Sequence, residues 1–242
     1  MTELLSAATA DASAVAVVAA ALVTALATGL GAVPLAFARR GAVSWLAGAN
    51  ALAAALMLVA SGMLFYQGSG DGMVKTFVGA ILGIVAIMAA ARWLRSRETW
   101  RFEALRGAQA RIAVIIVAVM TVHSMAEGVG VGVSFGGGAS IGFLTALAIA
   151  VHNIPEGLAI SLVLVPRGVT VPRAALWSIF SSVPQPLLAL PAFLFVEAFS
   201  PALPVGLGFA GGAMTWMVAA QIAPEAWESF RTRRKGIAFH GR

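Results

Sequence analysis

The sequence of 242 residues contains no cysteine, which removes disulfide scaffolds and thiolate metal sites together. Charge is scarce as well. Only 11% of residues are charged while 60% are hydrophobic, and the mean hydropathy is +0.92, well outside the composition of a soluble domain. What the chain has in abundance is long apolar runs. About 30 Å of hydrocarbon takes roughly 20 helical residues to cross, and seven runs reach that length, at about 13–38, 44–66, 74–96, 111–135, 140–166, 173–198 and 202–223. The expected fold is an all-α polytopic membrane protein, a single transmembrane domain over 1–242 with seven helices. The first run opens near Glu3 and Asp11 instead of Lys or Arg and is too long for a signal-peptide core, so it reads as a retained first span.

A net charge of +6 and a pI near 11.3 invite a nucleic-acid reading, but the placement of the charge argues otherwise. Arg39 and Arg40 follow the first run. Arg92, Arg95, Arg97, Arg101, Arg106 and Arg111 crowd the third connection, Arg167 and Arg173 the fifth, and Arg231, Arg233, Arg234, Lys235 and Arg242 the tail. Only Lys75 falls on the other side of a seven-span path. By the positive-inside rule the crowded side is cytoplasmic, giving N-terminus outside and C-terminus inside. The basic charge therefore describes topology, and nucleic acid is not an expected partner. The connection around 97–109 has no histidine or low-complexity tract and reads as a solvated cytoplasmic turn or short interfacial helix.

Against this background two segments stand out, His123-Ser-Met-Ala-Glu127-Gly128 and His152-Asn-Ile-Pro-Glu156-Gly157. Each places His and Glu at i and i+4, which a helix brings to one face about 6 Å apart along its axis. Ionisable groups in hydrocarbon cost at least about 2.5–3.5 kcal/mol each and mark ion or proton pathways. The two segments lie on consecutive spans joined by a glycine-rich turn near Phe135 to Ser140. A turn centred near 137.5 puts His123 level with His152; one centred near 139.5 puts His123 level with Glu156 and Glu127 with His152. Either way the four side chains share a slab about two turns thick, roughly 18 Å of helix from Arg111 and near mid-bilayer.

Two imidazoles and two carboxylates suit a divalent transition metal. The carboxylates sum to −2, which one M²⁺ neutralises, whereas a second ion would leave uncompensated charge; one fully occupied site is the expectation. Pro155 cannot donate to the Val151 carbonyl, so it frees an acceptor and bends its helix inside the polar cluster. In the sixth run, Ser181-Ser-Val-Pro184-Gln185-Pro186 predicts an irregular, partly unwound helix covered by protein or a water-filled cavity. Span one carries a small-residue run, Ala27 to Pro34, that lets another backbone approach. Met57, taken alone, is ordinary core filling.

The two motifs together resemble the ZIP (Zrt/Irt-like) divalent-metal transporters of the bacterial type, His-Asn-x-Pro-Glu-Gly being the specific one. The likeness extends to Ala53–Ser61, Pro184-Gln185-Pro186, Phe209–Met214 and Pro224-Glu225-Ala226. The resemblance implies transport of Zn²⁺, Fe²⁺ and related ions toward the cytoplasm. It implies His123, Glu127, His152 and Glu156 as principal ligands, Met57 as a soft adjunct and Asn153 as a secondary ligand. Ser124 stands where many members have Asn, Gln185 where they often have Glu, and Gln221 where an acid is common; as weaker, neutral donors they support the single-ion count. Members generally have eight helices with both termini outside, whereas no eighth apolar run follows residue 223.

The sequence thus describes a non-enzymatic transporter of the inner (cell) membrane, working by alternating access, with Zn²⁺ the first-choice ion and Fe²⁺, Cd²⁺ and Mn²⁺ open. It carries no catalytic cofactor; its partners are divalent metal ions and the bilayer, with a homodimer open to it. No Walker A loop is present, so the ion gradient or membrane potential drives transport. Rival readings are a non-transporting metal binder or sensor, a membrane metal hydrolase, for which His-x-x-x-Glu lacks the His-Glu-x-x-His order, and a bis-His haem carrier, which leaves both Glu residues unused. Because the ligands must be deprotonated to bind metal, uptake is expected to fall as pH drops from about 7.5 to about 5, the range in which imidazole ordinarily takes up its proton. An uptake profile flat across that range in a pH-jump flux assay would rule the site chemistry out.

Overall fold

In hydrocarbon every backbone N–H and C=O must be satisfied within the segment, which leaves apolar runs with the helix as their open-ended solution. The computed structural model describes residues 2–37, 42–96, 108–224 and 227, and all its regular structure there is helical. The arginines at 97–106, Glu225, Glu228, the basic tail with His240 and the side chain of Gln221 lie outside the described residues. The helices are α1 (Thr2–Leu30), α2 (Val33–Phe37), α3 (Ala42–Ser96), α4 (Ala108–Gly136), α5 (Ala139–Leu164), α6 (Val171–Ser182), α7 (Pro184–Ala198) and α8 (Leu203–Met217). A π-helical turn, Val218–Ile222, continues α8.

Among the described residues six helical stretches are long and apolar enough to cross a membrane. The second and third runs expected from the sequence are not separated by a loop: they form one stretch, Ala51–Trp93, of 43 residues. That stretch is bent at Gly72, whose φ of 157° and ψ of 92° break the helix in a region that a residue bearing Cβ rarely adopts. The two arms lie side by side. The Ser61 carbonyl sits against Gly211, and the Ala80 backbone against the next residue, Gly212, although a straight helix would hold positions 61 and 80 roughly 28 Å apart. Both arms thus pack along α8, while α4 runs along α7 and α1 along α5.

The sixth run departs less from a regular helix than its prolines suggested. Only Val183 separates α6 from α7, and it keeps right-handed helical angles (φ −54°, ψ −33°). Pro184 falls at the start of the new helix, where its missing N–H costs nothing. Pro155 sits inside a continuous α5. Span one breaks at Gly31–Ala32, before Pro34.

Two helices meet at the core of the molecule. The α4–α5 hairpin turns through Gly137 and Gly138 (φ 128°), with the Phe135 and Phe143 rings edge to face, centroids 5.1 Å apart, across its mouth. Around it a continuous apolar core joins Val17 of α1, Met57 and Leu64 of α3, Ile149 of α5 and Met214 of α8. The outward faces carry Leu26, Phe77, Leu147, Phe180 and Phe195 exposed, the arrangement of a multi-pass membrane protein, whose solvent is as apolar as its core.

If the reversal at Gly72 holds the arms of α3 together, Gly72→Val should cost about 1–3 kcal/mol in backbone strain and lower the thermal midpoint in detergent. Gly70→Ala, two residues away with open space around the new methyl, should be neutral or slightly stabilising. Equal midpoints for the two variants would contradict this account of the bend.

Candidate metal centre

Each carboxylate of the two motifs is followed by a glycine, and the structure shows what the glycines do. A Cβ on Gly128 would run into the backbone of Pro184 and Gln185, and one on Gly157 into the backbone of Thr28. Gly128 therefore seats the start of α7 beside Glu127, and Gly157 seats α1 beside the Asn153–Glu156 turn. Each acid of the hairpin thus has a close helix contact one residue away.

Glu127, fully buried, is held from two sides. His152 Nε2 donates to its Oε1 at 3.0 Å, and Gln185 Nε2 donates to its Oε2 at 2.6 Å. With Nε2 donating, a neutral imidazole keeps its lone pair on Nδ1, and that atom is buried without a partner. Both oxygens of Glu156 and Oδ1 of Asn153 are in the same condition. Four unpartnered acceptor atoms thus lie on five residues of α5. Buried acceptors normally find a donor, so the cluster is one that a cation, not another protein group, would satisfy.

Among the described residues, Glu127, His152 and Glu156 form the one group of acidic and imidazole side chains suited to holding an ion, their ligand atoms all within 4.8 Å of one another. His123 is buried but stands apart from this group; its Nδ1 donates to the Val119 carbonyl at 3.0 Å. The helix geometry accounts for the grouping. Helix α4 ends at Gly136 and α5 begins at Ala139, which centres the turn at 137.5 and leaves His152 about four residues, roughly 6 Å, farther from the turn than Glu127. Helical side chains lean toward their own N-terminus. In antiparallel neighbours that brings Glu127 and His152 toward each other, and Glu156 back toward His152. His123 stands in the same register to Glu156 as Glu127 does to His152, so it is the Nδ1 bond to Val119, one turn back on its own helix, and not the lean that holds it outside the group. The Glu127–His152 pairing is the one a centre at 139.5 would have given, reached by side-chain direction and not by backbone register.

The remaining predicted residues take supporting positions. Asn153 donates through Nδ2 to the Thr24 carbonyl at 2.8 Å and to Gln185 Oε1 at 3.2 Å. Gln185 turns its amide nitrogen to Glu127, so its oxygen faces away from the group. Ser124 contacts the Ser182 hydroxyl at 3.5 Å, and Ser182 in turn bonds Thr28 at 2.7 Å. Met57 is buried in the apolar core beside Ala126 and Met214. Sequence reasoning missed Thr24 and Thr28 of α1. Their signal was present, as two hydroxyls one turn apart in the otherwise apolar stretch 14–30.

A family model described as ZIP zinc transporter matches residues 101–229, just over half the chain. The zinc transporter GufA of Myxococcus xanthus is 32% identical over 220 residues, covering 86% of this chain and 87% of that protein. The chain belongs to the ZIP zinc transporter family. A protein of Arabidopsis thaliana that also bears a zinc-transporter name is 47% identical over 210 residues, 86% of this ZIP chain. The chain spans only 34% of that protein's length. The zinc transporter ZIPB of Bordetella bronchiseptica is 32% identical over 119 residues, 48% of this chain and 38% of that protein. The family match extends from the connection before α4 to just beyond α8, and so contains Glu127, His152 and Glu156.

The close approach at Gly128 yields a test of this ZIP site. Gly128→Val should displace α7, cost about 1–3 kcal/mol and withdraw Gln185 from Glu127, lowering both the thermal midpoint and zinc affinity measured by calorimetry. Gly130→Ala meets only the Ala210 methyl, at 3.3 Å, and should be far milder. Two variants of equal stability and affinity would refute the role given to Gly128.

Proposed function

We propose that this protein carries divalent transition metal, Zn²⁺ first, across the membrane toward the cytoplasm, with Glu127, His152 and Glu156 as the core of the site. One observation carries this reading: the buried Glu127 and His152 and the half-buried Glu156 bring ligand atoms within 4.8 Å of one another while His152 Nδ1 and both Glu156 oxygens lack any partner. The two carboxylates match the charge of one M²⁺, and His and carboxylate donors without thiolate favour reversible binding of Zn²⁺ or Fe²⁺ over permanent capture. Zinc is also the ion in the names of GufA and ZIPB.

His123 joins as a further ligand through Nε2, whose lone pair is left free while Nδ1 donates to the Val119 carbonyl. Met57 and the Asn153 oxygen serve as adjuncts, and Ser124 and Gln185 line the site without the charge that a second strongly held ion would need. In the absence of the ion, His152 Nε2 satisfies Glu127 Oε1; an arriving cation takes the free lone pair of His152 Nδ1 and a lone pair of Glu127, while the proton stays on Nε2. The two arms of α3 cross separately, giving seven crossings with the N-terminus outside, in line with the one-sided distribution of Arg and Lys. Alternating access then delivers the ion inward, with no energy source beyond its gradient and the membrane potential.

Flux of radioactive Zn²⁺ into proteoliposomes tests this directly. Glu156→Ala should lose most of the flux of the unaltered protein, since it deletes half of the negative charge and two of the unpartnered acceptors. Equal flux in the two proteins would overturn the assignment.

A further inference from the structure

The orientation of the amides around Glu127 is fixed by one residue on α1, through the polarity of its hydrogen bonds. The Thr24 carbonyl can only accept, so the Asn153 atom 2.8 Å from it is the amide nitrogen. The second N–H of that nitrogen points at Gln185, 3.2 Å away, so the Gln185 atom there is its oxygen. The other end of the Gln185 amide is then nitrogen, and it donates to Glu127 Oε2 at 2.6 Å. The Thr24 hydroxyl adds a second contact to the Gln185 oxygen at 2.6 Å, sharing its proton with the Ala21 carbonyl at 2.7 Å. Thr24, Asn153, Gln185 and Glu127 are all buried, so no solvent competes for these bonds.

A second set of contacts one turn along supplies a comparison. Thr28 bonds Ser182, and Ser182 contacts Ser124, so the same α1 face again reaches the α6–α7 span and then α4. This set ends on a serine hydroxyl, whereas the first ends on a carboxylate of the metal group. The two threonines are both fully buried and differ in what their hydroxyls are connected to.

We infer that Thr24 is a positioning residue of the metal centre: through its carbonyl and hydroxyl it locks Gln185 as a hydrogen-bond donor to Glu127 Oε2, leaving Oε1 as the oxygen that Glu127 offers an ion. Thr24 touches no metal. It works by keeping the Gln185 oxygen out of the site and one lobe of the Glu127 carboxylate engaged, which selects one-oxygen coordination by that residue and leaves the Asn153 oxygen turned away from the lock and unpartnered. This inference rests on the assignment of Glu127, His152 and Glu156 as the metal group.

Zinc binding to the full chain in detergent, measured by calorimetry with Zn²⁺ alone, distinguishes the two. Outer-shell partners of metal ligands are typically worth 10–100-fold in affinity, so Thr24→Val should weaken Zn²⁺ binding by about tenfold, at the low end of that range. Thr24→Ser, which restores the hydroxyl, should recover it, and Thr28→Val should bind as the unaltered protein does. If the valine protein does not fold, Thr24→Ala reads the same way. Equal affinities for the Thr24 and Thr28 variants would overturn the inference, as would a loss that serine fails to repair. Glu156→Gln serves as the separate arm: if it binds Zn²⁺ unchanged, the metal-group assignment fails, whatever Thr24 does.

Discussion

A carboxylate with no exposed surface is the constraint around which this molecule is arranged. Glu127 cannot be stripped of water in an apolar interior without donors to replace it, and it obtains them from two other helices, His152 on α5 and Gln185 on α7. Gln185 reaches it only because Gly128 lets the α7 backbone come close. The pairings of α4 with α7 and α5 with α1 therefore follow from the need to satisfy this acid and its neighbours as much as from apolar packing. A ZIP protein with a bulkier residue after Glu127 would have to give up one of those donors.

Satisfaction is unequal across the site, and the inequality is informative. Glu127 has two donors, yet Glu156 has none and His152 keeps one nitrogen free. A fully satisfied cluster would be structural, holding helices together as polar side chains do in many membrane bundles. A cluster left open on one side, with acceptors only, has chemistry to offer an ion. The supporting shell behind Glu127 is closed: the Asn153 nitrogen, the Gln185 oxygen and Thr24 all bond within the protein. Rigid support behind an open face is what a site that binds and releases needs, since the ligands then move little between the two events.

Much of this was readable beforehand, and particular residues show why. The His-x-x-x-Glu-Gly and His-Asn-Ile-Pro-Glu-Gly segments declared themselves because ionisable residues are rare in apolar runs. The hairpin joining them followed from the glycines near 136–138. The positions of the prolines were visible too, but not the consequence of the sixth run's pair, since Pro184 begins a new helix after a one-residue break. Thr24 was overlooked because a threonine on an apolar helix usually bonds its own preceding turn, as Thr24 also does with Ala21. Its second contact is with a residue 161 positions away, beyond the reach of any local pattern.

By itself, the sequence determined the helical, membrane-spanning character of the chain, its family and the short inventory of metal-binding side chains. Those properties depend on composition and on i, i+4 spacing, which are local. The tertiary structure decided which members of the inventory meet. Antiparallel helices tilt their side chains in opposite senses, so Glu127, His152 and Glu156 converge, while His123, on the same face of α4 as Glu127, is held by its own hydrogen bond to Val119. It also decided that Gln185 faces Glu127 with nitrogen and not oxygen, because that choice is passed on through Asn153 from a backbone carbonyl on α1, and polarity of this kind exists only once three helices are in contact.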